Sequence, residues 1–213
     1  MKKLLSTLLI SSSLISASAF AGEKTSNDYS NPWQVRLRTI QVNAGDADST
    51  LSIGGAANAE PDTVPELDIT YFVNRNFAFE LILATTEHEM SAKGSSLGSY
   101  VDLGKVNVLP PTLTAQYHLD ICETIKPYVG AGVNYTFFYD VEKGAGLDRV
   151  EYEDGFGYAL QMGSDFMYDE HWGLNLDVKK IYLNTDVSIN NGAIRGDVDL
   201  DPWVFGVGVT YKF

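Results

Sequence analysis

The sequence predicts an all-β protein, an eight-stranded antiparallel transmembrane β-barrel of the outer-membrane type, and three observations predict it. Apolar residues recur at every second position, long and short connections alternate, and aromatic rings collect at the ends of the periodic segments. A two-residue period is that of a strand. Long connections at one end and short turns at the other mark outer-membrane barrels.

The N-terminus is set apart from this pattern. Lys2 and Lys3 precede an apolar, hydroxyl-rich stretch over residues 4–15, followed by Ala19-Phe20-Ala21. This reads as a secretory signal peptide over residues 1–21, cleaved after Ala21, with the barrel domain over residues 22–213. The apolar core is too short for a permanent helix across about 30 Å of hydrocarbon.

Eight segments then alternate in order. Their apolar sets are Trp33, Val35 and Leu37; Leu67, Ile69, Tyr71 and Val73; Phe77, Phe79, Leu81 and Leu83; and Leu113, Ala115, Tyr117 and Leu119. The second half supplies Val129 to Phe137, Phe156 to Met162, Trp172 to Val178 and Trp203 to Phe213, each at every second residue. The alternate positions are small or polar, as in Thr112, Thr114, Gln116 and His118, or Gly206, Gly208 and Thr210. Such a face fits the inside of a tight barrel and not the dry core of a sandwich, so the apolar face is expected to meet lipid.

The connections supply a separate test. Those near residues 43–63, 86–109, 140–154 and 186–200 are long and are expected as outside loops; those at 74–76, 120–125 and 169–171 are short. An even strand number places both termini on the periplasmic side of a bacterial outer membrane. Trp33, Tyr71, Phe77, Tyr117, Tyr139, Phe156, Phe166, Tyr168, Trp172, Trp203 and Tyr211 read as interfacial girdles.

Composition narrows the function classes. The formal charge of −13 disfavours nucleic acid as a partner. The single Cys122 reads as a free thiol in a turn, and the scattered His88, His118 and His171 give no shared metal site. No cofactor is expected.

The last segment runs Asp201-Pro202-Trp203-Val204-Phe205-Gly206-Val207-Gly208-Val209 and ends Tyr211-Lys212-Phe213. Its alternation up to a terminal Phe, with Tyr211 and Phe213 as the diagnostic pair, resembles the signal read by the barrel-assembly machinery. With Leu109-Pro110-Pro111-Thr112 and the run Lys126-Pro127-Tyr128-Val129-Gly130-Ala131-Gly132-Val133-Asn134-Tyr135, it resembles the OmpW family across essentially the whole mature chain. The resemblance implies a narrow, partly apolar lumen that passes or binds small hydrophobic molecules, and relatives that serve as receptors for bacteriocins or phage. The chain departs from some members at Lys179, flanked by Lys180, where they carry a bulky aromatic; a purely apolar constriction is therefore not expected.

The inward parity collects Arg36, Arg38, Glu66, Asp68, Glu80, Asp165, Asp177 and Lys179. Charges inside so narrow a barrel must be paired or wetted. They read either as a salt-bridged plug or as a gate for a small solute, and the two are compatible. Leu51 and Ile53, with Ala56 and Ala57, read as an apolar funnel over the lumen mouth or as a loop tip. Asp197, Asp199 and Asp201 alternate above Trp203; they read as a solvated strand extension, or as ligands for divalent cations bridging to lipopolysaccharide phosphates.

The leading expectation is a porin-like channel or binding protein for small hydrophobic solutes, set among outer-membrane lipids and lipopolysaccharide and not an enzyme. The alternative is a closed structural barrel whose loops act as a surface receptor for bacteriocin, phage or host ligands. A lipid-modifying enzyme is more remote. It would need a Ser, His and acid to converge at the membrane edge, and His88 near Glu87, Glu89, Ser91, Ser95 and Ser96 is the place to look.

Overall fold

The computed structural model describes residues 31–43, 48–51, 56–95, 98–119, 121–144, 150–189 and 194–213. Fourteen strand segments run through them. They are β1 (Trp33–Asn43), β2 (Asp48–Leu51), β3 (Ala56–Ala59), β4 (Asp62–Phe72), β5 (Phe77–Ala84), β6 (Thr86–Ser95) and β7 (Gly98–Leu109). The second half holds β8 (Thr112–His118), β9 (Ile125–Lys143), β10 (Val150–Tyr152), β11 (Gly155–Met167), β12 (Trp172–Ile189), β13 (Ile194–Leu200) and β14 (Trp203–Lys212).

Eight of them close a ring of antiparallel pairs in the order β1, β4, β5, β8, β9, β11, β12, β14 and back to β1. The closing seam pairs Gln34 with Lys212 through to Asn43 with Trp203, so the barrel leaves no free edge for another chain to extend. The remaining segments continue these staves past the closed ring. β6 pairs with β3 and β7, β7 with β9, and β13 with β12 and β2. The long connections expected as loops near 86–109 and 186–200 are therefore largely hairpin, because their residues keep enough alternation and β-branched character to carry on the ladder.

Two breaks in the staves fall at proline. Pro110 and Pro111 separate β7 from β8, and Pro202 separates β13 from β14. A residue without an N–H cannot donate to a ladder on either side. The free carbonyls are reused: the N–H of Tyr135 donates to Pro111 O at 3.2 Å and that of Ile181 to Pro202 O at 3.1 Å.

At the other end each short turn is tied by its own side chain. Asn74 Oδ1 accepts the N–H groups of Asn76 and Phe77, both at 2.9 Å, and Asp169 Oδ1 accepts those of His171 at 2.8 Å and Trp172 at 2.6 Å. In the third turn Cys122, an exposed free thiol, accepts from the N–H of Ile125 at 3.3 Å. These local bonds set the register of the strands they join.

The parity reading holds. Leu37, Phe79, Leu113, Val133, Leu174 and Val207 face outward and are at least half exposed, whereas Arg36, Glu80, Thr114, Asn175 and Thr210 are fully buried inside. The turn-end girdle is built from cross-strand partners: Trp33 on Tyr71, Phe77 on Tyr117 and Trp172 on Tyr211, with ring centroids at 4.9, 4.9 and 4.7 Å. Eight residues at about 3.3 Å each put Trp203 and Tyr211 about 26 Å apart along β14, which a tilt of about 40° turns into about 20 Å of height, most of the roughly 25 Å apolar band of an outer membrane.

Candidate functional site

Inside the barrel the sequence produces two layers. Toward the turns, all eight charged residues expected on the inward face lie in one connected cluster. Arg36 donates from Nε to Asp165 Oδ1 at 2.9 Å and from Nη2 to Asp165 Oδ2 at 2.6 Å, and its Nη1 meets Glu80. Arg38 reaches Asp68 Oδ2 at 2.6 Å, Asp177 Oδ2 at 3.0 Å and Glu66 Oε1 at 3.2 Å. Lys179 Nζ lies 2.5 Å from Glu66 Oε1 and 3.5 Å from Asp177 Oδ1.

Neutral residues complete the cluster. Gln116 and Gln161 both donate to Glu80 Oε2, at 2.6 and 2.9 Å. The Tyr128 hydroxyl donates to Asp177 Oδ2 at 2.7 Å, and Thr210 and Asn175 donate to Asp165 Oδ1 at 2.7 and 2.8 Å. Arg36 also lies over the Tyr128 ring, 4.8 Å from its centroid. Fully desolvated ions are tolerable only when paired and hydrogen-bonded in this way. Gly163 makes room for the ring: a Cβ there would lie 2.5 Å from the Tyr128 hydroxyl and 2.6 Å from Leu176 O.

Toward the loops the same inward parity turns apolar. Ile40 and Val42 follow Arg36 and Arg38 on β1, Ile82 and Ala84 follow Glu80, and Ile181 and Leu183 follow Lys179. With Val106, Phe138 and Val204 they surround a cavity of about 940 Å³, counting its open mouth, whose floor includes Glu66 and Lys179. Charge beneath and hydrocarbon above give an apolar chamber resting on a polar plug.

Sequence reasoning named the eight ionic residues but not Gln34, Tyr128 or this apolar layer. The signal was present for all but Val106, which lies in the connection read as a loop, since each of the others lies on the parity already marked as inward. Lys179 at the floor agrees with the expectation that the constriction is not purely apolar.

His88 corrects an expectation. It lies in β6 and not in an exposed loop; it is buried, lines the cavity, and its Nδ1 is 2.9 Å from Glu60 O. Glu87 and Glu89 face out, where Lys105 Nζ meets them at 3.1 and 2.7 Å and is held well above the usual lysine range by those two hydrogen bonds. His118 is buried elsewhere, packed at a tilt between Phe72 and Tyr128, and His171 is exposed in a turn beside Tyr211.

Other expectations fall partly outside the described residues. Leu51 ends β2, its backbone paired with Gly196, but its side chain and the whole of Ile53 are not described. The backbones of Asp197 and Asp199 pair with Asp186 and Asn184, and their side chains are likewise outside the description. Asp201 accepts the N–H of Leu183 through Oδ1 at 3.3 Å, and its carbonyl accepts Lys180 Nζ. Tyr211 and Phe213 pack edge to face at 4.9 Å, and the N–H of Phe213 donates to Trp33 O at 3.1 Å across the closing seam.

The OmpW family model matches residues 32–213, every stave of the barrel. The chain belongs to the OmpW family. It is 44% identical over 187 residues to the outer-membrane protein y4mB of Sinorhizobium fredii, spanning 86% of this chain and 80% of that one. It is 33% identical to outer membrane protein W of Vibrio cholerae over the full length of both. A third relative in Pseudomonas aeruginosa, the dibenzothiophene metabolism operon protein PahQ, is 27% identical over 86% of this chain and 89% of its own length. Among solved structures, OprG of Pseudomonas aeruginosa superposes with a TM-score of 0.76 at 30% identity, covering 85% of this chain and 95% of that one. Outer membrane protein W of Escherichia coli gives 0.61 at 27% identity, covering 85% and 97%. This OmpW-family chain is thus an outer-membrane barrel.

Proposed function

We infer that this barrel takes small, largely hydrophobic molecules into the apolar chamber at its loop end and so assists their passage through the outer membrane. The carrying observation is the apolar cavity walled by Ile40, Val42, Ile82, Val106, Leu183 and Val204. A concave, mostly apolar space with a few polar groups is what small-molecule sites look like. The relative encoded in a dibenzothiophene metabolism operon supports an aromatic or hydrocarbon solute.

The ionic cluster acts as the chamber's floor. Three cations and five carboxylates, tied through Gln116, Gln161 and Tyr128, fill the axis, so ionic conductance is expected to be small. The termini and short turns lie on the periplasmic side in this reading, residues 1–21 are a cleaved signal peptide, Tyr211 and Phe213 are read by the assembly machinery, and lipopolysaccharide surrounds the loop end.

The test is the rate at which naphthalene enters cells producing the protein, compared with cells producing Ala84→Phe, which fills the chamber. Faster entry with the parent barrel and loss of that gain in the filled one is expected. Equal entry with and without the protein rejects uptake. Planar-bilayer recording of the parent and Lys179→Ala supplies the second readout: small or absent steps support a plugged axis, and large stable currents from the parent reject it.

A further inference from the structure

Among the described residues, the chamber carries two polar side chains that have no partner. Asn134 and Thr136, two residues apart on the inward face of β9, are 2% and 0% exposed, and both line the cavity. Asn134 Oδ1, Asn134 Nδ2 and Thr136 Oγ1 make no hydrogen bond among the described residues. Nearby polar groups of the same wall are engaged: Thr112 Oγ1 donates to Pro110 O at 3.0 Å, His88 is held by Glu60 O, and Lys179 by Glu66.

Leaving a buried amide or hydroxyl unsatisfied costs about 1–3 kcal/mol, which an aliphatic side chain would avoid. The neighbouring strand also makes space for the amide. Gly157 is its register partner, and a Cβ there would lie 2.3 Å from Asn134 Oδ1.

We propose that the molecule bound in this chamber is a neutral amphiphile: an apolar body with one uncharged hydrogen-bonding group, a hydroxyl or carbonyl, received by Asn134 and Thr136. This rests on the chamber being the binding site. The Asn134 amide can donate and accept, and the Thr136 hydroxyl can do either, so a carbonyl can accept from both residues and a hydroxyl can in addition donate to Asn134 Oδ1. A charged head group is disfavoured. Two dipoles do not repay the several kcal/mol that a desolvated ion costs, and a carboxylate would also face a floor with five acids against three bases.

Hexane, 1-hexanol and hexanoate are titrated into the full barrel in lipid nanodiscs. Methyl resonances of Ile40, Ile82 and Ile181 report occupancy, and the Asn134 side-chain amide reports contact with the head group. Hexane and hexanol are expected to shift the methyls, hexanol alone the amide, and hexanoate is expected to bind more weakly than hexanol. In Asn134→Leu/Thr136→Val the preference for hexanol over hexane should fall about tenfold, the worth of one good hydrogen bond. The single substitutions serve if the double does not fold, as judged by heat-modifiable gel mobility. An unchanged preference, or tighter binding of hexanoate, overturns the assignment of the head group while leaving the chamber as a site. Silence of the isoleucine methyls with every ligand overturns the chamber and this inference with it.

Discussion

Lys179 Nζ sits 2.5 Å from Glu66 Oε1 where the apolar chamber meets the ionic cluster. The pair joins β12 to β4, two staves that are not neighbours in the ring, and Lys179 is 2% exposed. Lys179→Met should destabilise the barrel by about 2–3 kcal/mol in urea unfolding from bilayers, less than a fully orphaned ion would because Arg38 still meets Glu66. Adding Glu66→Gln should recover part of the loss, and a double variant no better than the single would show the two residues to be uncoupled.

Asp165 receives Arg36, Thr210, Asn175 and Gln34, drawing β1, β12 and β14 onto β11. Replacing it with Asn leaves Arg36 with Glu80 as its remaining carboxylate. A cost of about 3–5 kcal/mol is expected, the usual range for breaking a buried ion pair.

Gly163→Ala should destabilise more than Tyr128→Phe. The added methyl meets the backbone carbonyl of Leu176 as well as the Tyr128 hydroxyl, whereas Tyr128→Phe removes one donor from Asp177 at a cost of about 1–2 kcal/mol. Comparison of unfolding midpoints checks the order.

Asp169 in the last turn is held below the usual carboxylate range by the N–H groups of Trp172 and His171. A depressed carboxylate contributes stability that is present above its unfolded value of about 3.9 and is lost as pH falls through its folded one. Carboxyl carbon shifts of Asp169 should therefore titrate below those of an unbonded aspartate. Asp169→Ala should loosen the turn at neutral pH, while Asp169→Asn, which keeps the acceptor, should not.

Cys122 is exposed in a turn at the same end as the C-terminus. A membrane-impermeant maleimide should label it in intact cells only after the outer membrane is permeabilised. Labelling without permeabilisation would reverse the orientation.

Much of this was legible because a strand has only two faces. Once Leu37, Phe79 and Val207 are assigned to lipid, Arg36, Glu80 and Gly206 must point inward, and register follows from the short turns. What parity does not tell is where along the axis polarity changes. Ile40 and Val42 share the face of Arg36 and Arg38, yet their environment is hydrocarbon because Ile82, Leu183 and Val204 arrive at the same height from other staves. His88 was harder to read for the opposite reason: its polar neighbours alternate outward, so a strand resembles a loop in composition.

The ionic cluster also bears on how the chain reaches this state. Arg36, near one end of the sequence, depends on Asp165, 129 residues later, and Thr210 completes the same acceptor from the last strand. The β1–β4 hairpin can pair Arg38 with Asp68 and Glu66, but no early hairpin contains both Asp165 and its cation, and an unpaired charge inside a bilayer is costly. Contacts of such long range slow folding. The barrel should therefore assemble as one concerted event, with the first seven staves held outside the hydrocarbon or in water-filled intermediates until the eighth arrives to close the seam.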